Sequence, residues 1–80
     1  MKREEIIDTL QELAQKSFNQ HNLSINDDTL LEDILGWNSL THVMFIDSVE
    51  KRYNIKFSFS EMLGFSNIKA ICDALMNQLS

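Results

Sequence analysis

Ser39 is the residue of this 80-residue chain whose setting is best suited to chemistry. It follows Gly36-Trp37-Asn38, and the side chain of Asn38 can accept a hydrogen bond from an unpaired amide of a first helical turn. The pattern therefore predicts a helix that begins at Ser39 and runs to about Tyr53. Free amides and the helix dipole favour negative charge at such an end, so a phosphodiester on the Ser39 hydroxyl suits this position.

Other reactive side chains do not form a catalytic or metal-binding set. His42 lies three residues after Ser39, as a base can lie beside a nucleophile, but no third orienting group stands at a suitable spacing. His21, His42 and Cys72 lack the spacing of metal ligands, and Cys72 on an apolar helix face is expected to be a buried small hydrophobic residue. We therefore expect no catalytic residue, no bound metal and no enzymatic activity.

The chain is acidic, with 7 Lys and Arg against 12 Asp and Glu and a net charge of -5. Such a charge disfavours nucleic acid and anionic membrane and favours a partner with a basic surface. The acids just before Ser39 either steer such a partner or only solvate a loop, and they are Asp27, Asp28, Glu32 and Asp33. The N-terminus lacks the apolar stretch of a signal peptide, so a cytoplasmic location is expected.

The elements that position Ser39 are predicted to be helices of one domain over residues 1–80, because the chain has no proline and only two glycines. A first helix of about 15 residues is indicated by apolar residues at three- and four-residue steps. Its buried stripe is expected to hold Ile6, Ile7, Leu10, Leu13, Ala14, Ser17 and Phe18. A long polar connection then leads to Asn38, and loops of this length are usually anchored or functional.

Capping patterns divide the rest of the chain. Thr29 and Glu32 have the spacing of a capping box, which favours a helical turn near residues 30–34. Ser58 and Glu61 form a second box that opens a short helix ended by Gly64. Ser66 is expected to cap a last helix. The apolar residues expected to anchor the connection are Leu23, Ile25, Leu30, Leu31, Ile34 and Leu35, and those turned inward on the last helix are Ile68, Ile71, Cys72, Leu75 and Leu79.

The second helix has two distinct faces when residues are placed at about 100° per step. Its core face is expected to hold His42, Phe45, Ile46, Val49 and Tyr53. Its outer face carries Leu40, Thr41, Met44, Asp47, Ser48 and Lys51. Leu40 and Met44 then form an exposed apolar pair one turn apart, with Asp47 beside them, and such a pair is typical of a docking surface.

The segment Leu35-Gly-Trp-Asn-Ser-Leu40, with Val43, Ile46, Val49, Glu50 and Tyr53 after it, resembles the modification site and second helix of acyl carrier proteins. The downstream positions Phe57, Glu61, Phe65, Ile68, Ala70 and Leu75 agree with that family without a gap. The resemblance implies an all-α, small four-helix bundle with three longer helices, a short third helix and a long loop between the first two.

The resemblance also implies a function. A phosphopantetheinyl transferase, using magnesium, would attach 4′-phosphopantetheine from coenzyme A to Ser39. The monomeric carrier would then present acyl thioesters to an acyl-activating ligase, an acyltransferase or a synthase of a dedicated fatty-acid, polyketide or related pathway. The residues expected to contact partners are Asp33, Trp37, Asn38, Leu40, Met44, Asp47 and Glu50.

The chain departs from the family pattern at three positions. Asn38 stands where the family usually has an aspartate that helps to place magnesium, and Thr41 and Met44 stand where many members have acids. The motif also resembles that of aminoacyl and peptidyl carriers, although those usually have glycine and histidine where Trp37 and Asn38 stand. A helical interaction subunit without an arm is a third reading, and Trp37 is either a plug between loop and bundle or a contact for the arm or partner.

Overall fold

The chain folds into four α-helices and one 3₁₀ turn in the computed structural model, which describes residues 2–80. The helices are α1 (Arg3–Ser17), α2 (Ser39–Tyr53), α3 (Phe59–Gly64) and α4 (Ile68–Leu79), and the 3₁₀ turn spans Leu31–Asp33. The all-α prediction of three longer helices, a short third one and a long loop between the first two is confirmed. None of the helices within residues 2–80 is both long and apolar enough to cross a membrane.

One hydrophobic core is shared by α1, α2 and α4. The buried apolar residues of these helices are Ile6, Leu10, Leu13, Ala14, Phe45, Ile46, Val49, Ile68, Ile71, Cys72 and Leu75, and Phe18 is buried just beyond α1. Ile7 and Ser17 are only half-buried. Leu79 was expected to face inward, but it is exposed because it ends α4 beside an open groove lined by Ile6 and Met76.

The long connection between α1 and α2 is fixed to the start of α4 by backbone hydrogen bonds. The amide of Leu31 donates to the carbonyl of Ser66, and the amide of Ile68 donates to the carbonyl of Thr29, both at 3.0 Å. Leu30 is extended and exposed, whereas Leu31, the first residue of the 3₁₀ turn, is buried.

The predicted anchors of this connection are therefore only partly correct. Ile25, Leu31 and Ile34 are buried and Leu23 is half-buried. The prediction was wrong for Leu30, which lies on the outer side of the extended segment, and for Leu35, which borders an open surface groove and is 75% exposed.

Two of the predicted caps are wrong. The Thr29 hydroxyl accepts from the amide of Asn26 at 2.9 Å, and the 3₁₀ turn begins after Leu30 without a side-chain cap. The carbonyl of Ser66 pairs with the amide of Leu31, and α4 is capped by the next residue, the extended Asn67, whose Oδ1 accepts from the amide of Ala70 at 2.8 Å.

The Ser58–Glu61 capping box is confirmed. The Ser58 hydroxyl accepts from the amide of Glu61, and the Glu61 carboxylate accepts from the amide of Ser58, both at 3.0 Å. This reciprocal pair satisfies two free amides at the start of α3, and α3 ends at Gly64 as expected.

Arg3 connects three segments near the N-terminus of the chain. Its guanidinium contacts the carboxylate of Asp27 in the long connection at 3.0 Å and that of Asp73 in α4 at 2.7 Å. The hydrogen bond from Arg3 holds the pKa of Asp73 below its ordinary value. The contribution of this ion pair to stability is therefore present above the pKa of an unfolded aspartate and is lost as pH falls through the lower folded pKa.

We expect Arg3→Gln to lower the melting temperature by a few degrees at neutral pH, because it removes both charged contacts. The difference from the wild type should shrink as the pH falls below the ordinary pKa of an aspartate, about 3.9. Thermal unfolding followed by circular dichroism across this pH range measures it. Lys16→Gln, which removes only the exposed pair with Glu12, is the control and should change little. A pH-independent effect of Arg3→Gln would contradict the ion-pair account.

Candidate functional site

The start of α2 is fixed by a reciprocal cap between Asn38 and Thr41. The Oδ1 atom of Asn38 accepts from the amide of Thr41, and the Thr41 hydroxyl accepts from the amide of Asn38, both at 2.9 Å. The same hydroxyl donates to the carbonyl of Gly36 at 2.9 Å. The predicted helix from Ser39 to Tyr53 is confirmed, whereas the role of Thr41 was missed because capping boxes usually have Glu or Gln at its position.

Ser39 is exposed at the first position of α2, and its hydroxyl makes no hydrogen bond within residues 2–80. In the same described range, the backbone amides of Ser39 and Leu40 have no protein acceptor. The N-terminus of a helix also carries a partial positive charge. An accessible hydroxyl beside free amides fits a phosphodiester, since the amides can donate to its charged oxygens.

The loop that leads to Ser39 passes tightly over the end of α1 at Gly36. Gly36 has φ +94°, a conformation that residues with a side chain rarely adopt. A Cβ atom at this position would lie 2.6 Å from the carbonyl oxygen of Phe18. Glycine is therefore required here both by conformation and by space, and it determines how the chain enters α2.

We expect Gly36→Ala to destabilise the fold by about 1–3 kcal/mol, the usual cost of a strained backbone conformation, and to displace the start of α2. Gly64→Ala is the matched control, because a Cβ at Gly64 in α3 meets no atom within 4 Å. The control should be neutral or stabilising by up to about 1 kcal/mol. Urea unfolding gives the free energies, and the chemical shift of the Ser39 amide reports the displacement. Equal effects of the two substitutions would refute the strain argument.

A cleft of about 310 Å³ opens beside Ser39 between α2, α3 and the long connection. Its wall is mostly apolar and is lined by Leu31, Glu32, Trp37, Ser39, His42, Val43, Phe59, Leu63, Phe65 and Ser66. A flexible group attached to Ser39 can lie along this cleft and bury part of its apolar surface there. The cleft was not predicted, because its residues come from segments far apart in the sequence.

Trp37 packs against the core and also lines the cleft, so its ring acts as a plug between the loop and the bundle. Its Nε1 atom donates to Nδ1 of His42 at 3.1 Å. Because Nδ1 accepts, the hydrogen of the neutral ring is assigned to Nε2, which donates to the carbonyl of Met62 at 2.9 Å. Both nitrogens of His42 are thus occupied, and His42 forms no hydrogen bond with Ser39 within residues 2–80.

Five exposed apolar side chains lie on α2 and α3, and we call this set the α2–α3 face; three of them, Val43, Phe59 and Leu63, line the cleft. It consists of Leu40, Val43, Met44, Phe59 and Leu63. Leu40 and Met44 are 68% and 50% exposed, as their positions on the outer side of α2 predicted. The exposure of Phe59 and Leu63 was not predicted. The available signal was the short length of α3, because a helix of six residues can bury few of its side chains.

The charged residues expected at the site are dispersed. Asp33 is exposed in the 3₁₀ turn, and Asp47 pairs with Lys51 at 3.0 Å on the outer side of α2. The carboxylate of Glu50 accepts from the amide of Phe57 at 2.7 Å and so fixes the chain after α2. Glu50 lies eleven residues after Ser39, which is about 16 Å along a helix, so the structure does not bring the two together.

Of the acids that precede Ser39, Asp27 is paired with Arg3 and is therefore committed to the fold. Asp28, Glu32 and Asp33 are exposed, and Glu32 also lines the cleft. Of these three acids, Glu32 is therefore the one that shares the mostly apolar cleft with Ser39.

Comparison with protein-family models matches residues 5–75 to the family described as "Phosphopantetheine attachment site". A search of curated proteins found no match. Among solved structures, the chain is similar to the solution structure of a holo acyl carrier protein from Geobacter metallireducens, with a TM-score of 0.81 and 29% identity over 91% of this chain and 84% of that one.

A second similar structure is that of a protein described as an acyl carrier protein from Mycobacterium tuberculosis. The TM-score is 0.82, and the match covers 91% of this chain and 97% of that one. At 18% identity it shows a shared fold alone. The four-helix arrangement is therefore that of acyl carrier proteins.

Proposed function

Since the chain belongs to the phosphopantetheine-attachment family, we propose that it is an acyl carrier whose 4′-phosphopantetheine arm is attached to Ser39. Members of this family are carrier domains without catalytic activity of their own, and they interact with enzymes such as transferases and synthases. The attached group supplies a terminal thiol that holds acyl groups as thioesters. The observation that carries the assignment to Ser39 is its exposed, unbonded hydroxyl at the capped start of α2.

The residues around Ser39 have separate tasks in this proposal. The free amides of Ser39 and Leu40 stabilise the negative phosphate of the arm. The Asn38–Thr41 cap keeps the first turn of α2 rigid, so that the attachment point stays fixed while the arm moves. The apolar cleft shelters part of the arm and its cargo from water between encounters.

Partner enzymes are proposed to dock on the α2–α3 face, where they contact Leu40 and Met44 and the neighbouring Trp37 and Asn38. Asp33 is exposed and supplies negative charge, which favours a partner with a basic rim, and Asp47 is proposed to contact the partner although it pairs with Lys51. Glu50 remains a prediction of the family resemblance. The proposed partners are a phosphopantetheinyl transferase and an acyl-activating ligase, acyltransferase or synthase of a dedicated fatty-acid, polyketide or related pathway, met by a monomer in the cytoplasm.

Magnesium enters only during attachment in this proposal, and Asn38 stands where an aspartate is usual. We expect Asn38→Asp to accelerate attachment, because aspartate keeps the cap and adds a charged ligand for the transferase's magnesium. It should also stabilise the fold by about 0.3–1 kcal/mol through the helix dipole. The initial rate of mass gain at limiting magnesium measures the first effect.

Asn67→Asp is the matched control, since Asn67 caps α4 through the same kind of bond to Ala70. It should stabilise the fold to a similar degree and leave the attachment rate unchanged. An equal acceleration by both substitutions would show that net charge, and not a ligand beside Ser39, explains the effect.

The proposal is tested by intact-mass measurement after incubation with coenzyme A, magnesium and a broad-specificity transferase. The expected result is the mass gain of one phosphopantetheinyl group, which requires all three components. The product is then offered to activating ligases with panels of fatty acids and amino acids. Preferential loading of amino acids would show that the protein is an aminoacyl carrier and not an acyl carrier. Absence of any mass gain would leave the helical interaction subunit as the better account.

A further inference from the structure

Helix α3 forms one wall of the cleft, yet it is attached to the bundle by few contacts. None of its residues is fully buried, although Met62 packs partly against the core. The buried rings of Phe57 and Phe65, on either side of α3, meet edge to face with their centroids 4.9 Å apart. This ring pair fixes the two ends of α3 relative to each other. The position of α3 relative to α2 depends on other contacts.

His42 provides the hydrogen bond that links α3 directly to another helix. Its Nε2 donates to the carbonyl of Met62 at 2.9 Å, and within residues 2–80 no other hydrogen bond joins an α3 residue to α1, α2 or α4. Its Nδ1 accepts from Trp37, in the loop before Ser39, at 3.1 Å. A single ring on α2 therefore connects the loop on one side of the cleft with the helix on the other.

The position of this ring also determines what it can control. Trp37, His42 and Ser39 line the cleft together, and Phe59 and Leu63 of α3 form its opposite wall. His42 is only 7% exposed and both of its nitrogens are bonded, so either bond is costly to lose. Any movement of α3 away from α2 breaks the bond to Met62 and widens the cleft.

We propose that His42 is a positioning residue. Its hydrogen bonds to Trp37 and to the carbonyl of Met62, which we call the tie, set the width of the cleft. The tie thereby determines how well cargo on Ser39 is sheltered. The sheltering of cargo rests on the proposed function, whereas the tie between the three segments does not. The tie needs an acceptor for Trp37 and a donor for the carbonyl of Met62 on one side chain at position 42.

Two variants at position 42 separate hydrogen bonding from packing. His42→Leu keeps an apolar side chain and removes both bonds, whereas His42→Gln offers an oxygen acceptor for Trp37 and a nitrogen donor for Met62. Hydrogen exchange on the unmodified chain is the first measurement. The amides of Met62 and Phe65 should exchange about three to ten times faster in His42→Leu, the change expected for one lost hydrogen bond, and near the wild-type rate in His42→Gln.

Amides of α4 serve as the internal reference and should keep their rates. Trp37→Phe, which retains a ring without the N–H donor, should loosen the loop before Ser39 while the exchange of α3 amides changes less than in His42→Leu. In the wild type, the NMR chemical shifts of the two ring nitrogens of His42 should show that the hydrogen is on Nε2. Unchanged α3 exchange in His42→Leu, or hydrogen on Nδ1 in the wild type, would overturn the proposal whether or not Ser39 is modified.

The second measurement uses protein that carries an octanoyl group as a thioester on its phosphopantetheine arm. The rate at which hydroxylamine cleaves this thioester is compared among the wild type and the two variants. The thioester should be cleaved several-fold faster on His42→Leu than on the wild type, and His42→Gln should restore protection. Equal cleavage on all three variants, with α3 exchange altered as expected, would overturn the sheltering role while leaving the tie in place. Failure of the wild type to load would instead contradict the proposed function, whereas the hydrogen-exchange comparison would still test the tie.

Discussion

Ser39→Ala will abolish attachment of phosphopantetheine and leave the four helices intact. The substitution removes the only atom proposed to form the covalent bond, so the expected loss is complete. The Ser39 hydroxyl is exposed and makes no hydrogen bond within residues 2–80, so its removal should change the free energy of unfolding by no more than about 0.5 kcal/mol. Intact mass after incubation with the transferase and circular dichroism measure the two effects.

Ser60→Ala is the matched control for this loss. Ser60 is also exposed near the start of a helix, but α3 begins one residue earlier and its cap is Ser58. The control protein should gain the full mass of one phosphopantetheinyl group. A mass gain on Ser39→Ala, or its loss on Ser60→Ala, would move the attachment point away from Ser39.

Phe45→Ala should have the largest effect on stability, lowering the free energy of unfolding by about 3–5 kcal/mol. Phe45 is fully buried in α2, and its ring packs against Phe18 with a centroid distance of 5.5 Å. The smaller side chain leaves a cavity at the junction of α1 and α2, three residues beyond His42. For a domain of this length the total is about 4–12 kcal/mol, so the variant should be close to unfolding.

Phe59→Ala is the corresponding change on the surface. Phe59 is 70% exposed on the α2–α3 face, so its removal should change stability by no more than about 0.5 kcal/mol. Urea unfolding of both variants compares a buried ring with an exposed one. A similar loss in the two variants would contradict the assignment of Phe45 to the core and Phe59 to the docking surface.

Local sequence patterns were sufficient wherever the determining contact lies within a few residues. The start of α2 at Ser39 was predicted from the capping residue Asn38, and the start of α3 from the Ser58–Glu61 pair. Leu40 and Met44 were placed on the outer side of α2 by the helical period. These features depend on backbone geometry within one or two turns, which spacing in the sequence encodes directly.

Long-range contacts account for the predictions that were wrong. Thr29 and Ser66 have the sequence of helix caps, but both lie where the long connection pairs with the chain before α4. Asn67, which follows Ser66, caps α4 instead. Leu30 and Leu35 are apolar residues at plausible positions, yet spacing alone does not tell which residues of an irregular connection meet the core.

In the candidate site, too, the features set by neighbouring residues were predicted and those set by long-range contacts were not. Ser39 and its cap were predicted from adjacent residues, whereas the cleft joins the long connection, α2, α3 and the segment before α4. Spacing placed His42 on the core face of α2, but its bonds to Trp37 and Met62 became visible only in three dimensions. The carboxylate of Glu50 bonds the amide of Phe57, a contact that spacing did not indicate, and its expected contact with a partner stays a prediction. The limits of the domain and the partner contacts stay predictions.

The central claim is tested most directly by fragmentation mass spectrometry of the modified chain. After incubation with coenzyme A, magnesium and transferase, the protein is digested and the residue that bears the phosphopantetheinyl group is identified. The account predicts that the group lies on Ser39 and on no other residue. Attachment to Ser48, Ser58 or any other side chain, or an unmodified Ser39 under conditions that fully load another carrier protein, would contradict it.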